Sequence, residues 1–321
     1  MDLRIFFRQR WSMMDKNPRN RRHFLKLGML CGGSTLLGLQ LHAAQKGDDA
    51  LAQHRLNMQK IRPLFTKKKE PGFSDWLAQH KEPGQTFEQY IKINPNRPTA
   101  ERTRIYLQAI GQFTKVQTEV VYVVQSFMQI VFGLEVKMLP VQGLDKIPAS
   151  AQRVNDSTNQ RQLLSTHILH QILKPNRPKD AVAVLAITNE DLWPGEGWNF
   201  VFGQASLAER VGVWSTARMG DPVKEAEIFL RRVLQVAVHE TGHMFGIKHC
   251  TAYECCMNGS NHQAESDRTP LVFCPECDAK LWWACGLDAP KRAKTLHAFA
   301  KEHGLKTDTE QWEKIAKTLA S

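Results

Sequence analysis

Residues 239–250 read His-Glu-Thr-Gly-His-Met-Phe-Gly-Ile-Lys-His-Cys, and the predicted fold follows from this segment. On a helix, residues four apart lie on the same face, so His239 and His243 can direct both imidazoles at one metal ion while Glu240 lies beside them. Two imidazoles at this spacing, next to a carboxylate, are typical of zinc binding. The stretch therefore predicts the start of a catalytic zinc site on a helix.

A catalytic zinc ion needs three protein ligands and one open position for water. His249 is the candidate third ligand, because Gly246 can adopt the left-handed conformation that ends a helix and so return His249 to the metal. Glu240 would take a proton from the water and later give it to the leaving amine. An isolated HExxH pattern also arises in buried helices without catalysis, but the longer form with a glycine and a third histidine favours a catalytic site.

Four cysteines in this part of the chain have the spacing of metal ligands. Cys250 closes the quoted stretch, Cys255 follows five residues later, and Cys274 and Cys277 form a Cys-x2-Cys pair. Four thiolates that include such a pair are the ligand set of a closed structural zinc site. Two alternatives stay open, because the cysteines could form two disulfides and Cys256 could replace Cys255 as a ligand. The spacing favours Cys255 and predicts a second zinc ion.

The combined pattern, HExxHxxGxxHC-x4-C-x-M followed by C-x2-C, resembles the signature of the archaemetzincins, a family of zinc metallopeptidases. Without this resemblance Met257 would be interpreted as a core residue, because Met commonly fills irregular gaps. The resemblance implies two zinc ions per chain and hydrolysis of peptide bonds. It implies the following roles: catalytic-zinc ligands His239, His243 and His249, general base Glu240, structural-zinc ligands Cys250, Cys255, Cys274 and Cys277, and Met-turn residue Met257.

The resemblance extends beyond the motif and covers residues 60–290. Segments Ser74–Leu77, Pro83–Phe87 and Trp198–Ser206 are similar to the same family. The family resemblance implies an α+β fold of the zincin or metzincin type, in which a mixed sheet and the active-site helix form an upper lobe above a smaller, zinc-stapled lower lobe. In such a fold an edge strand near Phe202–Ala205 would pair with an extended peptide.

Composition places the chain among ordinary globular proteins. It has 321 residues, of which 42% are hydrophobic and 23% charged, and this length allows one large or two modest domains with a real core. The net charge is +11, but residues 1–43 hold eight Lys or Arg and two Asp or Glu, which is +6 of that total. Much of the basicity belongs to the N-terminal segment, so we do not expect nucleic acid as a partner.

The N-terminal segment has the pattern of a bacterial export signal. Arg21-Arg22 precedes Phe-Leu-Lys, and an apolar run with glycines follows at Leu27–Leu41. This is typical of a twin-arginine signal peptide, residues 1–43, cleaved near Ala43, and predicts a periplasmic or secreted bacterial protein. The run is too short and too interrupted for a transmembrane helix, so no stable membrane span is expected. The alternatives are a basic extension on a cytoplasmic protein and a true start at Met14.

A segment rich in Pro and Asn marks a predicted domain boundary in the remainder of the chain. Asn94–Pro98 predicts the boundary before the catalytic domain. The predicted domains after the signal peptide are an N-terminal extension at residues 44–100, a catalytic domain with the four-cysteine zinc site at residues 101–288, and a C-terminal helical tail at residues 289–321.

Hydrophobic periodicity predicts alternating strands and helices in the catalytic domain. Ala181–Thr188 is continuously apolar and predicts a central strand covered on both faces. The motif helix is predicted at Pro222–Phe245, with Asp221 as its cap, and polar groups so deep in an apolar helix are costly without a metal partner. The other predicted strands are Ile105–Ala109, Glu135–Leu139, Trp198–Ala205 and Val211–Ser215, and the other predicted helices are Ala50–Ile61, Phe73–His80, Thr118–Phe132 and Asn159–Leu173.

The predicted activity is zinc-dependent hydrolysis of peptide bonds in a peptide or protein substrate. The alternative is a non-catalytic zinc-binding protein or peptide-interaction module, in which the histidine site is purely structural. Because a structural zinc site does not need Glu240 as a ligand, the presence of this carboxylate favours the enzyme.

Overall fold

The computed structural model describes the backbone of residues 36–321 and the side chains from residue 49 onward. The chain divides into two compact units, residues 1–53 and residues 54–321. The second unit contains both described β-sheets and all of the predicted metal ligands. The predicted signal peptide lies outside the residues with described side chains and, up to residue 35, outside the described backbone.

Eight strands of the described residues form two sheets. The strands are β1 Arg104–Ile110, β2 Glu135–Met138, β3 Gln152–Val154, β4 Arg161–Leu164, β5 Ala181–Thr188, β6 Asp191–Trp193, β7 Gly203–Ala205 and β8 Val211–Ser215. The larger sheet has the order β2-β1-β5-β8-β7, in which all neighbours are parallel except β7, which is antiparallel to β8 at the edge. The smaller sheet has the order β3-β4-β6.

The described α-helices are α1 Leu36–Ile61, α2 Trp76–Gln79, α3 Phe87–Lys92, α4 Lys115–Phe132, α5 Ser165–His167, α6 Ala226–Met244, α7 Gln263–Arg268, α8 Pro275–Cys285, α9 Ala289–Glu302 and α10 Lys306–Ala320. Together with the mixed sheets they confirm the predicted α+β fold class. Among the described residues, no helix combines the length and the apolar character that a membrane crossing requires.

Helix α4 shows how local sequence sets an element. The Thr114 hydroxyl accepts a hydrogen bond from the Gln117 N–H, and the Gln117 side-chain oxygen accepts one from the Thr114 N–H, which forms a capping box at the first turn. Gly133 ends the helix in the left-handed conformation, with φ +64°. Both ends follow from residues next to the helix, which begins at Lys115 and therefore slightly earlier than the predicted Thr118–Phe132.

Strand β5 forms the centre of the larger sheet. All of its residues are buried, which confirms the predicted central strand covered on both faces. An apolar cluster that includes Leu163, Ile168 and Val184 contributes to this core. Helix α6 packs against β5, β7 and β8, so the sheet supports the helix that carries the zinc motif.

The predicted helix at Asn159–Leu173 is wrong in its first half. Arg161–Leu164 forms strand β4, which pairs with β3 and β6, and the chain is helical only from Ser165. Asn159 has φ +53°, which interrupts a helix, and the Gln162 side chain donates to Asp191 Oδ2 at 2.7 Å. Pairing with distant strands overrides the local helical periodicity here.

The motif helix begins later than predicted. It starts at Ala226, because Asp221 Oδ1 accepts hydrogen bonds from the N–H groups of Val223 and Lys224, at 2.8 and 2.9 Å, in a turn ahead of the helix. Asp221 therefore caps this turn and not the helix itself.

The strand predicted at Trp198–Ala205 is shorter than expected. Only Gly203–Ala205 pairs as β7. The carbonyl oxygens of Trp198 and Asn199 accept hydrogen bonds from the Arg153 guanidinium, at 3.1 and 2.9 Å, instead of bonding to a neighbouring strand.

Candidate zinc sites and cleft

The active-site helix ends in a tight turn that leads to the third histidine. Gly246 has φ +80°, and its N–H donates to His243 O at 2.8 Å. A β-carbon at Gly246 would lie 2.7 Å from Pro95 Cβ, so both the backbone conformation and the available space require glycine. The turn returns His249 to the helix, as the position of Gly246 predicts.

The three motif histidines bring their ring nitrogens together. The candidate ligand atoms of His239, His243 and His249 lie within 4.8 Å of one another. The Nε2 atoms of His239 and His243 are 3.0 Å apart. The ring centroid of His249 lies 5.3 Å from that of His239 and 4.9 Å from that of His243. The structure thus assembles the predicted ligand set of the catalytic site.

Two of these histidines use Nδ1 as a hydrogen-bond donor. His239 Nδ1 donates to Cys256 O at 2.8 Å, and His243 Nδ1 donates to Ile247 O at 2.7 Å. A carbonyl oxygen only accepts, so Nδ1 must carry the proton in both rings. In the neutral imidazole this leaves Nε2 as a bare lone pair.

The histidine site fits a zinc ion. Two bare Nε2 lone pairs 3.0 Å apart repel each other unless a cation lies beside both. Burial, aided by the charge of neighbouring histidines, lowers the pKa of His239 to about 3 and the pKa of His243 well below its usual value. The rings therefore stay neutral near neutral pH, which is the form that binds metal.

Glu240 lies beside the histidines but outside their cluster. It is 6% exposed and lines the cleft described below. Burial raises the pKa of Glu240 to about 8. Its side chain lies against edge strand β7, because a β-carbon at Gly203 would be 2.5 Å from Glu240 Oε1. This placement suits a group that accepts and releases a proton.

The four predicted cysteines form a second, buried cluster. The sulfur atoms of Cys250, Cys255, Cys274 and Cys277 lie within 4.8 Å of one another, and Sγ of Cys250 is 3.6 Å from Sγ of Cys274. The N–H of Cys274 donates to Cys255 Sγ at 3.2 Å. Cys256 is buried outside the cluster, and none of the described cysteines forms a disulfide. The geometry favours Cys255 over Cys256 and four thiol ligands over two disulfides.

Met257 links the two clusters. Its side chain is fully buried, and a β-carbon at Gly242 in the histidine helix would lie 2.6 Å from Met257 Sδ. Its carbonyl oxygen accepts a hydrogen bond from the Cys250 N–H at 2.8 Å. Met257 therefore packs under the motif helix while its backbone is tied to the cysteine cluster.

A cleft of about 830 Å³ opens at the histidine site. Its lining includes His239, His243 and Glu240, the edge strand β7, and Trp198. The four cysteines of the buried cluster do not line it. The histidine site is therefore accessible to a bound molecule, whereas the cysteine site is closed, which is the distinction between catalytic and structural zinc sites.

Sequence reasoning missed Glu82. Both carboxylate oxygens of Glu82 lie 3.0 Å from His249 Nδ1, and the Trp76 indole N–H donates to Glu82 Oε1 at 3.0 Å. Because 167 residues separate Glu82 from His249, no motif spacing reveals the contact. The signal in the sequence is that Glu82 directly precedes Pro83–Phe87, a segment with the archaemetzincin resemblance.

A third group of potential metal ligands, Asp75, His262 and Glu265, has protein partners instead. Glu265 accepts from the Trp76 N–H at 3.0 Å, and Arg268 pairs with Asp75 at 2.8 Å. His262 Nδ1 accepts from the Glu265 N–H at 3.2 Å, and His262 Nε2 lies 3.2 Å from Asp75 Oδ1. These bonds fasten the segment around Trp76 to helix α7, and we assign the group a structural role.

The sequence matches the profile of peptidase family M54 over residues 101–282. It is 36% identical over 262 residues to archaemetzincin-2 of Macaca fascicularis, and this alignment covers 70% of this chain and 71% of that protein. Archaemetzincin of Archaeoglobus fulgidus is 34% identical over 178 residues, 56% of this chain and 98% of that protein. The crystal structure of archaemetzincin from Methanopyrus kandleri is 30% identical, covers 59% of this chain and 99% of that chain, and has a TM-score of 0.49.

Proposed function

Because this chain belongs to peptidase family M54, it is a zinc metallopeptidase, and we propose that His239, His243 and His249 hold its catalytic zinc while Glu240 is the general base. The observation that supports this most directly is the pair of bare Nε2 lone pairs, 3.0 Å apart, that line a cleft together with a buried carboxyl group. Zinc bound there supplies Lewis-acid chemistry, since it lowers the pKa of water and polarises a carbonyl group.

Glu240 moves the protons in this mechanism. Its carboxylate takes a proton from the attacking water, and the resulting carboxyl group returns that proton to the leaving amine. Burial raises the pKa of Glu240, which makes its carboxylate a stronger proton acceptor than an exposed one. Gly203 leaves room for the side chain against β7, next to the edge where we expect the peptide.

We place the peptide or protein substrate along β7. This strand is at the edge of the larger sheet, with β8 as its neighbour on one side. Its residues Gly203, Gln204 and Ala205 all line the cleft. An extended peptide can add to such an edge as one more strand, and the cleft then holds its scissile carbonyl near the histidines.

We further propose two zinc ions per chain. The four-cysteine cluster is buried and separate from the cleft lining, as a closed structural site requires. Such a site stabilises the fold directly, because structural zinc binding is itself folding free energy. It would hold together the part of the chain after the active-site helix.

The test of the catalytic proposal is Glu240→Gln. This variant should keep both zinc ions and near-native stability, while peptide hydrolysis should fall by about 10²- to 10⁴-fold, because a positioned acid and base is lost. The measurement is the hydrolysis rate of a peptide that wild type cleaves, together with the zinc content of both proteins. Equal rates at equal zinc content would exclude Glu240 as the base, and a loss of zinc would make it part of the metal site.

We also propose export by the twin-arginine pathway, with cleavage near Ala43, on the basis of Arg21-Arg22 and the apolar run that follows. That pathway carries folded proteins, so both zinc sites could be loaded before export. Replacement of both arginines by lysine should retain full-length protein in the cytoplasm. Normal arrival of this variant in the periplasm, or the absence of wild type from it, would contradict the proposal.

A further inference from the structure

The chain ahead of the family match, which begins at residue 101, contributes to the active site. The Tyr90 hydroxyl donates to Phe245 O at 2.9 Å. The Gln85 side chain donates to Gly246 O and accepts from the Lys248 N–H, both at 3.2 Å. This segment therefore holds the turn that carries the third histidine.

Glu82 makes the contact that matters most for the zinc site. Its two carboxylate oxygens each lie 3.0 Å from His249 Nδ1. The Trp76 indole N–H donates to Glu82 Oε1 at 3.0 Å, and the Trp76 ring packs edge-on against the His249 ring with centroids 5.2 Å apart. Trp76 thus holds the carboxylate and the imidazole in place at the same time.

We propose that Glu82 is a positioning residue for the catalytic zinc site and acts through His249, a proposal that rests on the zinc-binding role given to this histidine above. A carboxylate that accepts the Nδ1–H bond keeps Nε2 free for the metal and sets the orientation of the ring. The partners of Nδ1 in His239 and His243 are neutral backbone carbonyls. His249 differs from them, because its Nδ1 has a charged partner in Glu82.

The location of His249 explains why it needs such a partner. His239 and His243 belong to helix α6, which fixes their backbone, whereas His249 lies in the loop after Gly246. A loop residue loses more conformational freedom when it binds a metal ion. Orientation of the ring before binding therefore contributes more to zinc affinity at His249 than at the two helical ligands.

The test is the zinc affinity of the three-histidine site, measured on the full chain by competition with a zinc chelator while the four-cysteine site stays loaded. Glu82→Gln removes the charge and keeps the shape, and Glu82→Ala removes both. We expect affinity to fall by about 10- to 100-fold, more for the alanine variant. The matched control is Glu88→Gln, an exposed carboxylate on α3 in the same segment, which should keep wild-type affinity.

A second variant examines how Glu82 is held. Trp76→Phe keeps the ring and removes the N–H donor, so we expect a smaller loss of zinc affinity. Combined with Glu82→Gln, it should cost less than the sum of the two single changes, because Trp76 acts through the carboxylate. If the Glu82 variants do not fold, Trp76→Phe decides the question: lower affinity supports the proposal, and unchanged affinity overturns it.

A spectroscopic readout separates positioning from a general structural role. With Co²⁺ in the histidine site, the absorption bands of the metal should shift in Glu82→Gln, because the donor strength of His249 changes. Wild-type zinc affinity and unshifted bands would overturn the proposal, and so would an equal loss of affinity in Glu88→Gln. Absence of metal from the histidine site of the wild type would instead contradict the proposed function itself.

Discussion

The Glu240 side chain lies directly over the α-carbon of Gly203 in the edge strand. A β-carbon at Gly203 would be 2.5 Å from Glu240 Oε1 and 2.8 Å from both Cδ and Cγ. Glycine at this position therefore creates the space in which the proposed general base lies. The φ angle of Gly203 is not positive, so this contact, and not the backbone conformation, is what requires glycine here.

Gly203→Ala should consequently displace the Glu240 carboxyl and lower kcat. A misplacement of about 1 Å in a catalytic group can cost about 100-fold in rate, and we expect a loss of that order. The measurement is peptide hydrolysis at verified, equal zinc content. Gly72→Ala is the control, because its new β-carbon would meet Asp75 only at an ordinary 3.4 Å. Wild-type kcat in Gly203→Ala would show that the carboxyl does not need this space.

Gly242→Ala tests the packing of Met257 under the motif helix. Alanine normally stabilises a helix interior by about 1 kcal/mol relative to glycine. Here the new β-carbon would lie 2.6 Å from Met257 Sδ, so overpacking should reverse the sign and destabilise the protein by about 1–3 kcal/mol. Denaturant unfolding measures the change in stability. In a Met257→Ala background, where the sulfur is absent, Gly242→Ala should destabilise the protein by less. A stabilised Gly242→Ala protein would contradict the packing.

Cys274→Ala should reduce the zinc content from two ions to one and impair folding, because the remaining thiols cannot close a tetrahedral site. Metal analysis and soluble yield measure both effects. Cys256→Ala is a close control, since Cys256 is also buried but lies outside the cluster, and it should retain two zinc ions. Two ions in Cys274→Ala, or one in Cys256→Ala, would mean that the ligand set has been assigned incorrectly.

His54 should make stability fall in acid. Its ring is 3% exposed and stacks on Trp282 with centroids 4.2 Å apart, and its Nε2 has no hydrogen-bond partner among the described residues. Burial lowers the pKa of His54 from 6.5 to about 4. Between these values the unfolded chain binds the proton more readily than the folded protein, so the stability present above pH 6.5 is lost as pH falls toward 4.

His54→Phe keeps an aromatic ring against Trp282 and removes this titration. The difference in unfolding free energy between variant and wild type should change by up to about 3 kcal/mol between neutral pH and pH 4, in favour of the variant. Denaturant unfolding at several pH values gives this difference. The contributions of the other histidines cancel, because variant and wild type share them. Parallel pH profiles would show that His54 is not protonated on unfolding in this range.

Prediction from sequence succeeded where an element depends on its own residues. The helical spacing of apolar residues in α4 and the apolar run of β5 are local signals, and both elements have the predicted character. It failed at Arg161–Leu164, where pairing with β3 and β6 replaces the helix that local periodicity favours. It also placed the start of α6 too early, because Asp221 forms a separate turn.

The sequence alone determined the histidine ligand set, because the four-residue repeat of a helix and the glycine after it bring His239, His243 and His249 together through short-range geometry. For the cysteine set it left Cys255 and Cys256 as alternatives, and the folded structure groups Cys255 with the other three. Only the tertiary structure decided which residues support them. The Glu82 carboxylate at His249 and the space that Gly203 leaves for the general base both join segments far apart in the chain. Such contacts depend on how the elements pack against one another. A local pattern of residues therefore does not reveal that these side chains are close in space.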